Sequence, residues 1–282
     1  KTGEKVSLLA LGTWPSGKCD TIDDRGVANL VAEAIDLGVN FIDSARAYDN
    51  AEDGIGKAIA NRRDKVFLST KVWADTAAEA QASFEATLRA LGTDHVDLLS
   101  IHSIGNRDVG KVTADDGSLS YLLRQKETGK TRFLGMSGHS MPKTFLPLVE
   151  SGHIDVLICA MNFVDRHIYG FEEKVLPAAV RQGMGVACIK VFGGMKGGFG
   201  VADGPDTGPQ MGTRRLQQAI NYGQGLPGVS TLVIGVHTAE QLRQNVQMVK
   251  NYTPLTQEEQ AALNETGRRL AKDWGPRFGP VS

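Results

Sequence analysis

Asn40-Phe41-Ile42-Asp43-Ser44-Ala45-Arg46-Ala47-Tyr48 carries a short apolar run into a carboxylate and sets a tyrosine five residues further on. Its apolar residues adjoin one another instead of alternating with polar ones, as in a strand covered on both faces by helices. The segment before it, 26–37, places Val27, Leu30, Val31, Ala34 and Ile35 at helical spacing, and Gly38 follows where that helix should stop. The segment after it, 51–60, reads as a helix too. The local plan is a strand–helix unit.

That unit repeats in both directions. Upstream, the apolar run 6–11 precedes the helix at 26–37. Downstream, 66–70 pairs with 76–91, 96–101 with 118–128, 131–136 with 142–150, and 155–160 with 172–182. The runs 185–189 and 230–234 supply the last two strands, with helices near 213–221 and 239–250. Gly92, Gly129, Gly152 and Gly183 fall at the expected helix ends. Eight such units in 282 residues predict a (β/α)8 TIM barrel as a single domain over 1–282, with an extra C-terminal helix at 256–272. The tail Asp273-Trp274-Gly275-Pro276-Arg277-Phe278 is expected to fold back over the barrel mouth. A doubly wound sheet is the competitor, but it wants a G-x-G-x-x-G turn after its first strand, and Leu11-Gly12-Thr13-Trp14-Pro15 has one glycine.

Composition narrows the partners. Lys and Arg total 31 against 32 Asp and Glu, so no nucleic-acid or anionic-membrane partner is expected. No apolar run approaches the ~20 residues that span a bilayer. Cys19, Cys159 and Cys188 form no CxxC pair and read as buried free thiols. No histidine pair has metal-ligand spacing, so no metal site is expected. The chain starts at Lys1 without a methionine or signal segment, so a removed leader or tag leaves the compartment open: cytoplasmic is favoured, with export as the alternative. The expected partner is a small molecule, the expected state a monomer or weak homo-oligomer.

Chemistry-bearing residues gather at the strand ends. Asp43 closes one strand and Tyr48 follows it; Lys71 closes the next, and His102 the one after. Each alone has an ordinary reading, as a helix cap, a rim aromatic, a solvated charge or a satisfied histidine. At successive strand ends of one barrel they make a proton-transfer constellation, because barrel active sites form at the C-terminal ends of the strands. The run from Lys190 through Phe192, Gly193 and Lys196 to Gly200 follows the seventh strand. Its glycines permit close backbone approach to a ligand, and Lys196 could face a pyrophosphate; an ordinary flexible loop is the plain alternative. Gly235-Val236-His237 leads into the last helix of the repeat, whose N-terminal amides favour an anion. Trp14 and Trp73 are placed to line a substrate pocket.

Several of these stretches resemble one family in register along nearly the whole chain. The run from Val39 to Tyr48 resembles the aldo-keto reductase signature around its catalytic Asp and Tyr. Ser69-Thr70-Lys71-Val72 resembles the strand end that carries that family's lysine, and Val96-Asp97-Leu98-Leu99-Ser100-Ile101-His102 the strand ending in its histidine. Gly129 to Ser137 is similar to the strand that reaches the nicotinamide carboxamide, and Ile234 to Asn245 to the final cofactor-binding turn and helix. The resemblance implies a carbonyl reductase with Asp43, Tyr48, Lys71 and His102 as its catalytic set. It also implies Thr13 and Trp14 at the nicotinamide end, Ser137 and Asn162 at the carboxamide, and Gly235, Val236, His237, Gln241 and Asn245 along the rest of the cofactor.

The residues' own chemistry agrees. Adding hydride to a carbonyl creates an alkoxide that needs a proton in the same step, which Tyr48 can donate. A free phenol has a pKa of about 10, and the Lys71 ammonium is expected to lower it. Asp43 would hold Lys71 charged and aimed, and His102 would hydrogen-bond the carbonyl oxygen. NADP(H) is the favoured cofactor by resemblance. NAD(H) is the alternative, because His237 and Gln241 stand where many relatives offer an arginine and Arg243 falls further along. Ser137-Gly138 replaces the family's usual Ser-Asn, with His139 as the candidate substitute, and Ile189 and Lys190 stand where an aromatic commonly stacks. Two other readings remain: a non-catalytic nucleotide-binding module that senses redox state on a partner protein, and a barrel hydrolase or lyase using Asp43 and His102.

Overall fold

The computed structural model describes residues 2–196 and 208–282. Its strands are β1 (Leu9–Gly12), β2 (Phe41–Asp43), β3 (Phe67–Val72), β4 (Val96–Ile101), β5 (Thr131–Gly138), β6 (Val156–Ala160), β7 (Gly185–Ile189) and β8 (Val229–Gly235). They pair in parallel in chain order and close into a barrel, β8 returning to β1 through Gly12↔Gly235. The α-helices of the described residues are α1 (Trp14–Gly17), α2 (Asp24–Asp36), α3 (Ala51–Ile59), α4 (Ala77–Leu91), α5 (Val109–Thr113), α6 (Ser118–Glu127), α7 (Leu146–Glu150), α8 (Phe171–Lys174), α9 (Leu176–Arg181), α10 (Leu216–Gln224), α11 (Ala239–Lys250) and α12 (Gln257–Trp274). This is the (β/α)8 barrel that the spacing predicts, with its extra C-terminal helix. No described helix is long and apolar enough to cross a membrane.

Local chemistry sets the helix ends. Thr76 and Glu79 form a reciprocal capping box on α4, as Thr256 and Glu259 do on α12. Gly92 ends α4 at φ 62°, a left-handed conformation that costs glycine nothing. Two expected helices arrive broken. The segment 172–182 divides into α8 and α9 at Val175, and 142–150 begins as a 3-10 turn over Pro142–Phe145 before α7. Pro177 and Pro147 are the cause, since neither has an N–H to give to the carbonyl four residues back.

Strand parity decides which side chains can meet. One buried cluster fills the barrel with Ala10, Phe41, Phe67, Leu98, Val156, Ile158, Ala187 and Val233. A larger one, including Leu11, Ile42, Leu68, Leu99 and Leu157, lies between sheet and helices. Successive strand residues face opposite sides, so stepping by two from the inward set toward the C-terminal ends reaches Gly12, Asp43, Lys71, His102, Ser137, His139, Ile189 and Gly235. All eight line one cleft at the barrel mouth. The core below therefore fixes the orientation of the site above. The three cysteines are free and buried.

Candidate active site

The centre of the cleft is an ion pair sunk in the barrel. Lys71 Nζ donates to Asp43 Oδ2 and to the Ser44 carbonyl, each at 2.7 Å, and Ser69 Oγ donates to Asp43 Oδ1 at 2.9 Å. The Lys71 side chain is 2% exposed. The Tyr48 ring lies above this pair, its centroid 5.2 Å from Lys71 Nζ. His102 stands edge-on to Tyr48 with ring centroids 5.7 Å apart. Its Nδ1 is buried without a partner. The structure brings the four strand-end residues together: Asp43, Tyr48, Lys71 and His102 open on the same cavity of about 270 Å³.

Burial and charge tune the groups. Burial, reinforced by the Asp43 charge, raises the Tyr48 phenol above its ordinary value; Lys71 pulls the other way and loses. The ammonium does lower the phenol as expected, but burial outweighs it and the net direction is upward. The lysine's charge is shared with a carboxylate 2.7 Å away, and desolvation of the half-buried Tyr48 outweighs what remains of it. Burial also pulls Lys71 down, but Asp43 and Tyr48 together outweigh it, so the ammonium is held charged above its usual range. His102 is driven well below the usual histidine range by burial and then by Lys71, Arg107 and Lys190, so it is neutral near pH 7. His139 is depressed in the same way, by burial and then the charges of Lys190, His102, Lys71 and Arg277.

The wider set divides. Thr13, Trp14, Ser137, Lys190, Phe192, Gly235, Val236, His237, Gln241 and Asn245 line the cleft. Lys190 has a left-handed backbone at φ 56°, with its Nζ 5.0 Å from the Trp14 ring centroid. Asn162, Gly193 and Lys196 are not on the wall. Asn162 is enclosed and its amide is consumed internally: Nδ2 donates to Asp165 Oδ2 at 2.6 Å and to the Lys190 carbonyl at 3.0 Å, and Oδ1 accepts from Val164 N and Asp165 N. It shapes the backbone that presents Lys190. Gly193 lies against Trp274, where an added Cβ would come within 2.5 Å of the ring, and Lys196 is exposed. Trp73, 46% exposed, stands at the rim with its ring 5.2 Å from that of His102 and with the Arg107 guanidinium 4.4 Å over its face. Gly197, Gly198 and Gly200 of the glycine-rich run lie outside the described residues.

Other wall residues were not singled out from sequence. Met195 lies in the stretch past β7, Pro209 and Thr213 in the segment before α10, Leu216 opens α10, and Gln244 is a neighbour of Gln241 on α11. Helical spacing from Gln241 reaches Gln244 and Asn245 together, a signal the sequence does contain. Pro209 had none, because its loop carries no periodicity, and Thr213 stands where the helix expected over 213–221 was to begin, whereas α10 starts at Leu216. The expected fold-back of the tail is real. Arg277 makes two 2.8 Å bonds to Asp165 and one of 2.7 Å to the Gly193 carbonyl. Phe278 lies beside His139 at 5.5 Å between ring centroids.

A parallel barrel with a carboxylate–ammonium pair, a phenol and an imidazole at its C-terminal strand ends is an architecture for coupled proton transfer. Comparison with known proteins gives the family: the profile of the aldo/keto reductase family matches residues 8–218, and the chain belongs to that family. An aldehyde reductase of Saccharomyces cerevisiae is 27% identical over 217 residues, covering 68% of this chain and 67% of that protein. The L-galactose dehydrogenase of Arabidopsis thaliana is 26% identical over 282 residues, covering 88% and 86%. Among solved structures, an aldo/keto reductase from Klebsiella pneumoniae in complex with NADP and acetate superposes with a TM-score of 0.73 at 22% identity, over 98% of this chain and 96% of that one. This last likeness is one of fold.

Proposed function

We propose that this chain interconverts a small aldehyde or ketone and its alcohol with NADP(H), Tyr48 serving as the acid–base group. The observation that carries the reading is the convergence of Tyr48, the Asp43–Lys71 pair and His102 on one cleft. The cofactor fits the donor set along the same wall. Lys190 supplies an ammonium near the tetrad, and Gln241, Gln244, Asn245 and His237 supply polar groups at the start of α11. The buried Nε2 of His237 has no protein partner, as a ligand contact would require. When bound, NADP(H) supplies the hydride for reduction or accepts it for oxidation.

The chain's own residues carry the rest. His102, neutral and with Nδ1 unpartnered, keeps its proton on Nε2 and donates it in a hydrogen bond to the carbonyl oxygen, orienting the substrate. Tyr48 then gives its hydroxyl proton to that oxygen as negative charge develops there, so carbonyl plus hydride plus proton balances to alcohol. Its raised pKa keeps it in the donor form throughout the neutral range. Lys71, held charged by Asp43, stabilises the phenolate left behind until solvent returns the proton. The test is Tyr48→Phe assayed with a generic aldehyde. Turnover should fall by at least about a thousandfold, while affinity for NADPH, read by quenching of tryptophan fluorescence, stays within about threefold. Loss of cofactor binding with the variant folded would contradict the assigned role.

A further inference from the structure

The turn after β4 carries a guanidinium to the rim of the cleft. Past His102 the chain makes one 3-10 turn, Ile104–Asn106, and the Arg107 N–H closes it on the Ile104 carbonyl at 3.0 Å. The turn is pinned in place. Ile104 is fully buried, and Ser140 Oγ donates to Asn106 Oδ1 at 3.3 Å. Gly105 lies so close to the chain past β5 that an added Cβ would come within 2.3 Å of the Ser140 carbonyl oxygen. The Arg107 side chain is thereby laid over Trp73, its Cζ 4.4 Å from the ring centroid, and the indole in turn stands edge-on to His102 at 5.2 Å. A single indole separates this guanidinium from the imidazole assigned to the carbonyl oxygen.

The guanidinium is enclosed but not satisfied. Its side chain is 13% exposed, yet it makes no hydrogen bond to another described residue: Nε is buried without an acceptor, and Asp75 Oδ1 stays 3.4 Å from Nη1. A charge-assisted bond would close to about 2.7–2.9 Å. Arg277 is the useful contrast. Its side chain is 11% exposed, and it spends its donors on two 2.8 Å bonds to Asp165 and one of 2.7 Å to the Gly193 carbonyl. Arg277 holds the fold together; Arg107, with a comparable burial, has a planar fork of donors that no protein group completes. Donors left so cost free energy until a ligand meets them. The surroundings suit an anion as well. The charges acting on His102 are those of Lys71, Arg107 and Lys190, and those acting on His139 are Lys190, His102, Lys71 and Arg277, so cations surround both imidazoles.

Resting on the reductase reading above, we propose that Arg107 anchors a carboxylate carried by the substrate, which makes the preferred substrates aldehydes or ketones bearing an acid group. The planar fork takes such a carboxylate through two parallel bonds, displacing the loose contact with Asp75. With His102 holding the carbonyl oxygen and Trp73 lying between the two, the acid and the carbonyl stand about one aromatic ring apart. Trp73 offers its edge and rim surface to the apolar part of the molecule. Arg107 is thus a specificity residue; it takes no part in the hydride or proton step.

The experiment compares an acid with its neutral ester: 4-carboxybenzaldehyde against methyl 4-formylbenzoate, each reduced by the purified protein with NADPH. The expected kcat/KM for the acid exceeds that for the ester by about tenfold to a hundredfold, the range of a charge-assisted bond to a half-enclosed group. Arg107→Met should bring the ratio to about one, chiefly through a higher KM for the acid. Arg107→Lys should keep part of the preference, as a point charge without the fork. NADPH affinity, read by tryptophan fluorescence, reports that each variant is folded, and a merely structural role for Arg107 would not separate acid from ester. A ratio near one in the wild type, or a preference that persists in Arg107→Met, overturns the proposal and leaves the reductase reading intact. Turnover of neither compound overturns both.

Discussion

Tyr48 and Glu172 show burial acting on single groups with opposite consequences. For Tyr48 the raised pKa keeps a proton where the chemistry uses it. Glu172, under the β6–β7 side of the barrel, has no such use: burial pushes its carboxyl up to about 8, against weaker help from Arg166 and a hydrogen bond from Tyr222, and its Oε2 has no partner. The folded chain therefore holds a proton that the unfolded chain releases. A folded pKa raised above the unfolded 4.5 means stability that is complete below 4.5 and is lost as pH rises through about 8. Glu172→Gln removes the titration. Urea unfolding at pH 5.0 and 8.5 should show the variant near the wild type at the lower pH and a few kcal/mol more stable at the higher one. A gap of equal size at both pH values would rule out Glu172 as the titrating group.

At the scale of elements, the C-terminal strap links α12 to the loops after β5, β6 and β7. Arg277 is stacked between the Trp274 and Phe278 rings at 4.2 Å from each and doubly bonded to Asp165, whose side chain is 1% exposed. Asp165 also accepts from Asn162, which holds the Lys190 carbonyl, so the strap braces the wall of the cleft. Arg277→Ala leaves a buried carboxylate unpaired and should cost about 3–5 kcal/mol. Adding Asp165→Asn should recover part of that loss, and a double-mutant cycle by denaturant unfolding would show the coupling; strict additivity would mean that the pair does not act as a unit. Elements of this kind were partly legible in sequence. Regular repeats gave all eight strands within three residues at each end, because a buried parallel strand is a plain apolar run. The proline breaks at Pro147 and Pro177 were present in the sequence but overridden by helical spacing. The bracing bonds of Asn162 were not legible for a different reason: they run to Asp165 and to the Lys190 carbonyl, which strand order brings together but spacing does not reveal.

The whole molecule separates what folds it from what it does. Phe41 and Phe67 open β2 and β3 with their rings tilted at 58° and 4.9 Å apart, and Phe133 stacks on Phe67 at 6.1 Å, inside the barrel near its N-terminal end. Lys71 lies four residues further along β3, roughly 13 Å up the strand. The tetrad was legible because a barrel converts strand order into neighbourhood: residues closing consecutive runs must meet at one mouth. The sign of the Tyr48 shift was not, because it depends on how completely the closed barrel excludes water, a property of the assembled shell. That separation predicts a dissociation of stability from activity. Phe67→Ala removes a ring from the interior layer without touching the cleft wall and should lower unfolding free energy by about 3–5 kcal/mol. At a temperature where the variant remains folded, its kcat and KM should stay within about threefold of the wild type, since β2 and β3 are still held in register by Phe41↔Phe67 and Asp43↔Ser69 backbone pairing. A steep fall in kcat at full folding would mean that the Asp43–Lys71 geometry depends on the packing beneath it, and that stability and chemistry are not separable along the barrel axis.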